Sequence, residues 1–207
     1  MKEEALKFVN DIIKPWEGLN IELGQPYSVN PQISDFTSIA NSLAISVKHL
    51  PESAQKIMTK ELIPDSRSYE IISDLADSSK HGELRSAGRE CTLSVGSMFE
   101  RNDDGKVRFL RNVINIQHNT YGQVDFMTSL MEAAIFIAQK LDIRTSWSPK
   151  ILNNGGDFSD KIKVHASKKN QVLWTGMQLQ FVRLGAEGKY EPVDLNSTVE
   201  FTLTSEF

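Results

Sequence analysis

The densest set of side chains able to do chemistry lies in Asp74-Leu-Ala-Asp77-Ser-Ser-Lys80-His81-Gly82. On a helix, Asp74, Asp77, Ser78 and His81 fall at i, i+3, i+4 and i+7, which lines two carboxylates, a hydroxyl and an imidazole along one stripe. Three arrangements suit these residue types. Asp74, Asp77 and His81 form a chemically sensible ligand set for a divalent cation. Alternatively the stripe faces a nucleotide or nucleic acid, with His81 as general acid or base and Lys80 holding phosphate. In the third, Lys80 and His81 complement the dipole at a helix C-terminus and the aspartates bond to water or to neighbouring helices. Nothing else in the chain has metal-ligand spacing, so no metal site is assigned and no cofactor is expected.

A second candidate is basic. Lys161, Lys163 and His165 share one face if their segment is a strand, because strand side chains alternate with period 2, and Lys168 and Lys169 follow after Ala166 and Ser167. This set suits phosphate contact, and equally a strand edge protected by lysines. Cys91 is the lone cysteine, so no intramolecular disulfide forms; in an alternating apolar segment it reads as core rather than nucleophile. His49 follows Lys48, repeating the Lys80-His81 pair, and the two pairs approach each other if their helices lie side by side. Neither the Walker spacing, nor Gly-x-Gly-x-x-Gly, nor a Gly-x-Ser-x-Gly elbow occurs, which argues against the usual P-loop, Rossmann and hydrolase sites.

The elements that must hold these residues change character along the chain. Ala5, Phe8, Val9, Ile12, Ile13 and Trp16 recur at helical spacing, with Pro15 expected to kink or end that helix. After the Gly-, Pro- and Asn-rich stretch 24–32, Ser34 is placed to cap a helix whose Phe36, Ile39, Ala40, Leu43, Val47 and Leu50 face inward up to Pro51. A shorter helix carrying Ala54, Ile57, Met58 and Leu62 closes at Pro64. Asp65 or Ser66 then opens the helix of the Asp74–His81 stripe, with Ile71, Ile72 and Leu75 inward and Gly82 as its stop.

From about residue 88 the period becomes 2. Cys91, Leu93 and Val95, then Val107 and Phe109, flank the turn Asn102-Asp-Asp-Gly105, which predicts a hairpin. Asp125 caps a helix whose inward stripe is Met127, Leu130, Met131, Ala134, Ile135, Ala138 and Leu141. Further alternating segments at 162–166, 177–181 and 199–203 predict an antiparallel meander. The expectation is an α+β protein: residues 1–143 a helical bundle with a hairpin and packing helix, 144–160 a linker or long loop, and 161–207 a small antiparallel β unit.

The helix reading D-L-A-[DN]-x-[ST]-K-H, here Asp74 to His81, followed by a hairpin and the Gly122-Gln-Val-Asp125 step, resembles a group of uncharacterised bacterial and phage proteins. The helical half, residues 1–85, is similar to the HEPN superfamily of four-helix domains, many of them toxin or defence ribonucleases. That resemblance implies RNA cleavage with His81, helped by Lys80 and Asp74 or Asp77, as one function. The other, which the sequence favours, is a non-enzymatic binding or assembly module of a bacterial or phage accessory system.

Charge bears on the choice. The 207 residues carry 23 Lys and Arg against 27 Asp and Glu, a net of −4, and no protein-wide basic field gathers nucleic acid. Residues 1–80 hold 12 acids and 8 bases and account for the whole deficit; the remainder holds 15 of each. A protein partner or a second copy of the chain is therefore expected before nucleic acid. No run approaches the ~20 apolar residues of a membrane span, so a cytoplasmic protein without membrane association is expected.

Overall fold

The computed structural model describes residues 3–26, 33–81, 86–165, 178–194 and 200–204; for Ile33, Ser34, His81, 162–165 and 200–204 it describes the backbone alone. Lys168, Lys169 and Gly82 lie outside the described residues, as does the side-chain cap assigned to Ser34. The chain is α+β and divides into two compact units. The first comprises 1–20, 36–93 and 114–151, the second 21–35, 94–113 and 152–207.

Helices dominate the first unit. Helix α1 (Glu3–Phe8) passes through a π turn (Val9–Ile13) into α2 (Lys14–Leu23). The helix does not end at Pro15. The widened turn just upstream, in which the Lys14 N–H bonds to the Val9 carbonyl, takes up the distortion that a donorless proline imposes. Phe8, Ile12, Trp16 and Leu19 are buried along one face. Helix α3 (Ile33–Gln55) likewise continues across Pro51, where only its final turn is affected. It stops at Lys56, whose left-handed backbone (φ 57°) lets the N–H groups of Lys56 and Ile57 turn back onto the Glu52 and Pro51 carbonyls. Phe36, Ala40, Leu43, Val47 and Leu50 are buried as their spacing predicts.

Beyond α4 (Thr59–Leu62) and a short 3-10 turn (Ile63–Asp65), Ser66 caps α5 (Arg67–His81), its Oγ accepting from the Tyr69 N–H at 3.2 Å. Helix α6 (Phe126–Lys140) packs along α5 and is capped by Asp125, which accepts from the Thr128 N–H at 2.7 Å. Of its expected stripe, Met127, Leu130, Ala134, Ala138 and Leu141 are buried, Met131 is partly buried and Ile135 stands 36% exposed.

Strands β1 (Cys91–Arg101) and β2 (Val107–His118) form the expected hairpin and run through both units. Its turn closes through Asn102 and Lys106, with Gly105 at φ 82°, a conformation that favours glycine. With β3 (Gly122–Asp125), β5 (Gln178–Leu184) and β6 (Tyr190–Pro192) they make a five-stranded sheet ordered β3-β2-β1-β5-β6.

The C-terminal strands depart from the predicted antiparallel meander. Strand β5 lies parallel to β1, pairing Gly96 with Gln178 through Glu100 with Val182, and β4 (Lys161–His165) lies parallel to β7 (Glu200–Thr204). Only β6 on β5 is antiparallel. Alternation of apolar residues marks a strand and its faces but carries no information on direction or partner. Strand β5 extends the hairpin, where Phe181 joins Phe99, Val107 and Phe109 in one apolar cluster, while β4 and β7 pair with each other in a separate two-stranded sheet. Gly96 permits that approach: a Cβ there would meet the Gln178 carbonyl oxygen at 2.7 Å.

The long loop has no regular structure from 143 to 158. In the second unit its end bonds along β2: Asn154 N–H to the Leu110 carbonyl, and Ser159 with Val107 in both directions. Among the described residues no helix is long and apolar enough to cross a membrane.

Candidate functional site

Helix α5 places Asp74 on its apolar side, between Ile71 and Leu75, and the carboxylate is fully buried. An ionised carboxylate there needs compensation. It comes from Arg89, in the 3-10 turn Ala87–Arg89 ahead of β1, whose Nε donates to Asp74 Oδ1 at 2.7 Å. The same guanidinium reaches one turn along α5, its Nη2 donating to Asp77 Oδ2 at 3.0 Å. Lys48 of α3 bonds to the other oxygen of Asp77. Two carboxylates of α5 are thus matched by two cations from two other elements, all within the first unit.

His118, at the end of β2 and 1% exposed, closes the far side of Asp74. Its Nδ1 accepts from the Thr120 N–H at 3.0 Å and lies 3.4 Å from the Tyr121 N–H, so the ring proton belongs on Nε2, which donates to Asp74 Oδ2 at 3.4 Å. Backbone bonds hold Arg89 in place. Asn119 N–H donates to the Glu90 carbonyl, Asn119 Nδ2 to Ala87 and Thr120 Oγ1 to Gly88, the last two at 2.6 Å, which ties the Arg89 turn to the β2–β3 corner.

The electrostatics follow from these contacts. Burial raises the cost of ionising Asp77, but the hydrogen bond and charge of Lys48, and then those of Arg89, outweigh it and hold this carboxyl below its ordinary value. Arg89 is pushed the other way, chiefly by its hydrogen bond to Asp74. The neighbouring Cys91 thiol is pushed up to about 12, first by burial and then by the charge of Asp74, so it is protonated and a poor nucleophile at neutral pH. Ser78 accepts the Cys91 N–H at 3.2 Å, and is likewise occupied.

Of the stripe predicted from spacing, Asp74, Asp77 and Ser78 are therefore brought together and bonded internally. The α5 backbone ends at His81, whose side chain lies outside the described residues. Lys80 is exposed and points across to α3, its Nζ 3.3 Å from His49 Nε2, while His49 Nδ1 stands 3.7 Å from Glu52. Helices α3 and α5 do lie side by side, the condition set for the two Lys-His pairs to meet. The basic candidates belong to the second unit. Lys161 is exposed at the start of β4, and Lys161, Lys163 and His165 occupy alternate register positions opposite Glu200, Thr202 and Thr204 of β7. Among the described residues no cluster of three or more His, Cys, Asp or Glu is arranged to hold a metal ion.

Sequence reasoning missed Arg89, Lys48 and His118 as partners of the stripe. The available signal was Asp74 itself: a carboxylate at the i+3 position from Ile71 and next to Leu75 is directed into the core, and such a residue implies a cation reaching it from elsewhere. Arg67, the nearest upstream arginine, stacks on the Tyr121 ring at 4.6 Å instead. No family model, no curated protein and no solved structure matches this chain.

Proposed function

We propose that this chain is a non-enzymatic binding or assembly module, acting in the cytoplasm as part of a bacterial or phage accessory system. The observation that carries the reading is the occupancy of Asp74, Asp77 and Ser78 in the α5 stripe. A general acid–base pair or a metal site needs lone pairs or protons directed at a substrate. Here Asp74 spends its oxygens on Arg89 and His118, and Asp77 spends its own on Arg89 and Lys48. A buried network with its charges balanced and bonded internally is an arrangement for fixing three elements relative to one another. The partner is a protein or a second copy of the chain, meeting the outer strands of the sheet, β3 or β6.

One observation favours a second reading, a HEPN-like ribonuclease. Lys80 and His49 come within 3.3 Å across α3 and α5, which gathers lysine and imidazole groups at the end of the helix that carries His81. An RNA-cleavage assay on wild type and His81→Ala separates the two. No cleavage above buffer by either protein is the outcome expected for the binding module. Cleavage by wild type that His81→Ala abolishes overturns it in favour of the ribonuclease.

A further inference from the structure

Away from the α5 stripe, the first unit contains a pocket of about 430 Å³ between the N-terminal helix, the end of α6 and the segment that follows it. Its walls are Phe8, Ile135, Ala138, Ile143 and Trp147, and this volume falls in the usual range for small-molecule sites. Here the outward-facing Ile135 finds its surroundings. Trp147 is a firm wall, since its ring meets Trp16 edge-on at 5.4 Å and Phe8 at 6.3 Å.

The same pocket has a cationic end, and behind its indole wall lies an unpaired donor. Arg144 lines it and is exposed, and no ion pair or hydrogen bond to its guanidinium occurs among the described residues. The indole Nε1–H of Trp147 is buried without an acceptor, although that of Trp16 donates to the Met127 carbonyl. Among the described residues no carboxylate lines this pocket. The acids nearby, Glu4 and Asp142, line a second recess of about 370 Å³ that shares Ile143 and Arg144 with the first, so the recess without acids is the one of the two that favours an anion beside Arg144.

Arg144 is also held in position by its backbone. After α6 the chain turns through Asp142, left-handed at φ 51°, with Asp142 N–H bonded to the Gln139 carbonyl at 3.2 Å and Ile143 N–H to Ala138 at 2.8 Å. This is the double-bonded helix stop that fixes the direction of the following residues. The exit of Ile143 and Arg144 toward the pocket is thus set before any ligand arrives, which lowers the cost of binding.

We propose that this pocket binds a small organic monocarboxylate with an apolar body, the body against Phe8, Ile135 and Trp147 and the carboxylate on the Arg144 guanidinium. The site is separate from the α5 stripe and does not depend on how that stripe is read.

A matched pair of probes tests it: 3-phenylpropionate and 3-phenyl-1-propanol, alike in body and different in charge. Each is titrated into the full chain and followed by the Trp147 indole N–H resonance, identified from its loss in Trp147→Phe. The acid is expected to bind saturably, about tenfold more tightly than the alcohol, and to shift that resonance. Arg144→Gln, at an exposed position, is expected to keep the wild-type melting temperature, weaken the acid about tenfold and leave the alcohol unchanged. Equal affinity for acid and alcohol, an Arg144→Gln variant that binds the acid as wild type does, or no saturable shift up to about 10 mM, each overturns the proposal.

Discussion

Asp74 and the indole of Trp147 are both polar groups buried in the same compact unit, and their surroundings differ in kind. Both oxygens of Asp74 have donors, from a turn and a strand end that are far apart in sequence, and its neighbour Asp77 is bonded by that turn and by a lysine of another helix. Around Trp147 the N–H has no acceptor and the neighbouring Arg144 has no counter-ion among the described residues. A buried charge that is fully compensated contributes to structure and has little left to offer a substrate. A buried donor left uncompensated costs stability, and an exposed guanidinium without a counter-ion beside an apolar pocket is free to meet one that a ligand brings. The contrast places recognition at the less conspicuous of the two regions, although Asp74 and its neighbours attract attention first in the sequence.

The largest expected effect tests the first half of that contrast. Arg89→Ala leaves Asp74 buried with only His118 beside it, and is expected to cost about 3 kcal/mol in urea unfolding. In an Asp74→Asn background the same substitution should cost about 1 kcal/mol, because the charge that Arg89 offsets is gone. A single-variant loss below about 1 kcal/mol would mean that the cluster behaves as an exposed ion pair and that the comparison fails.

A smaller effect concerns pH. The Asp77 carboxyl lies below its ordinary value of 3.8 in the folded state, so its contribution to stability is complete above the unfolded value and is lost as pH falls through the folded one. Melting temperatures of wild type and Asp77→Asn should differ by a constant amount from neutral pH down to about pH 5 and converge below about pH 4. A difference that persists unchanged to about pH 2 would show that Lys48 and Arg89 do not discriminate the charged carboxylate.

What was legible in the sequence was local. The α3 stripe, the Ser66 and Asp125 caps, the Asn102–Gly105 turn and the shared face of Asp74 and Asp77 each depend on residues within a few positions of one another. The misses are of two kinds. At Pro51 a local rule was overridden, because the packing of Leu50 on the core outweighs one lost backbone bond and the final turn absorbs the strain; at Pro15, expected to kink or end its helix, the helix distorts into a π turn and does not end. The partners of the stripe are distant: Arg89 lies 15 residues from Asp74, Lys48 29 from Asp77, and His118 44 from Asp74. The parallel pairing of β5 with β1 joins residues further apart still. Periodicity reports which side of an element is buried, and says nothing of what lies against it.

The smallest effect tests the other half of the contrast by the same chemical change at two sites. Replacing a tryptophan with benzothienylalanine keeps the bicyclic shape and removes the N–H. At Trp16 this breaks the 3.2 Å bond to the Met127 carbonyl and leaves that oxygen without its side-chain donor, at a cost of about 1 kcal/mol. At Trp147 it removes a buried donor that has no acceptor, so stability should be unchanged or rise slightly. Ring volume and aromatic contacts are preserved in both replacements, so the difference between the two unfolding free energies isolates the hydrogen bond. Equal losses at the two positions would mean that the Trp147 N–H is satisfied in solution, by water or by a side-chain movement. The contrast between the two tryptophans would then be lost, and the case for a ligand would rest on Arg144 and the apolar walls of the pocket.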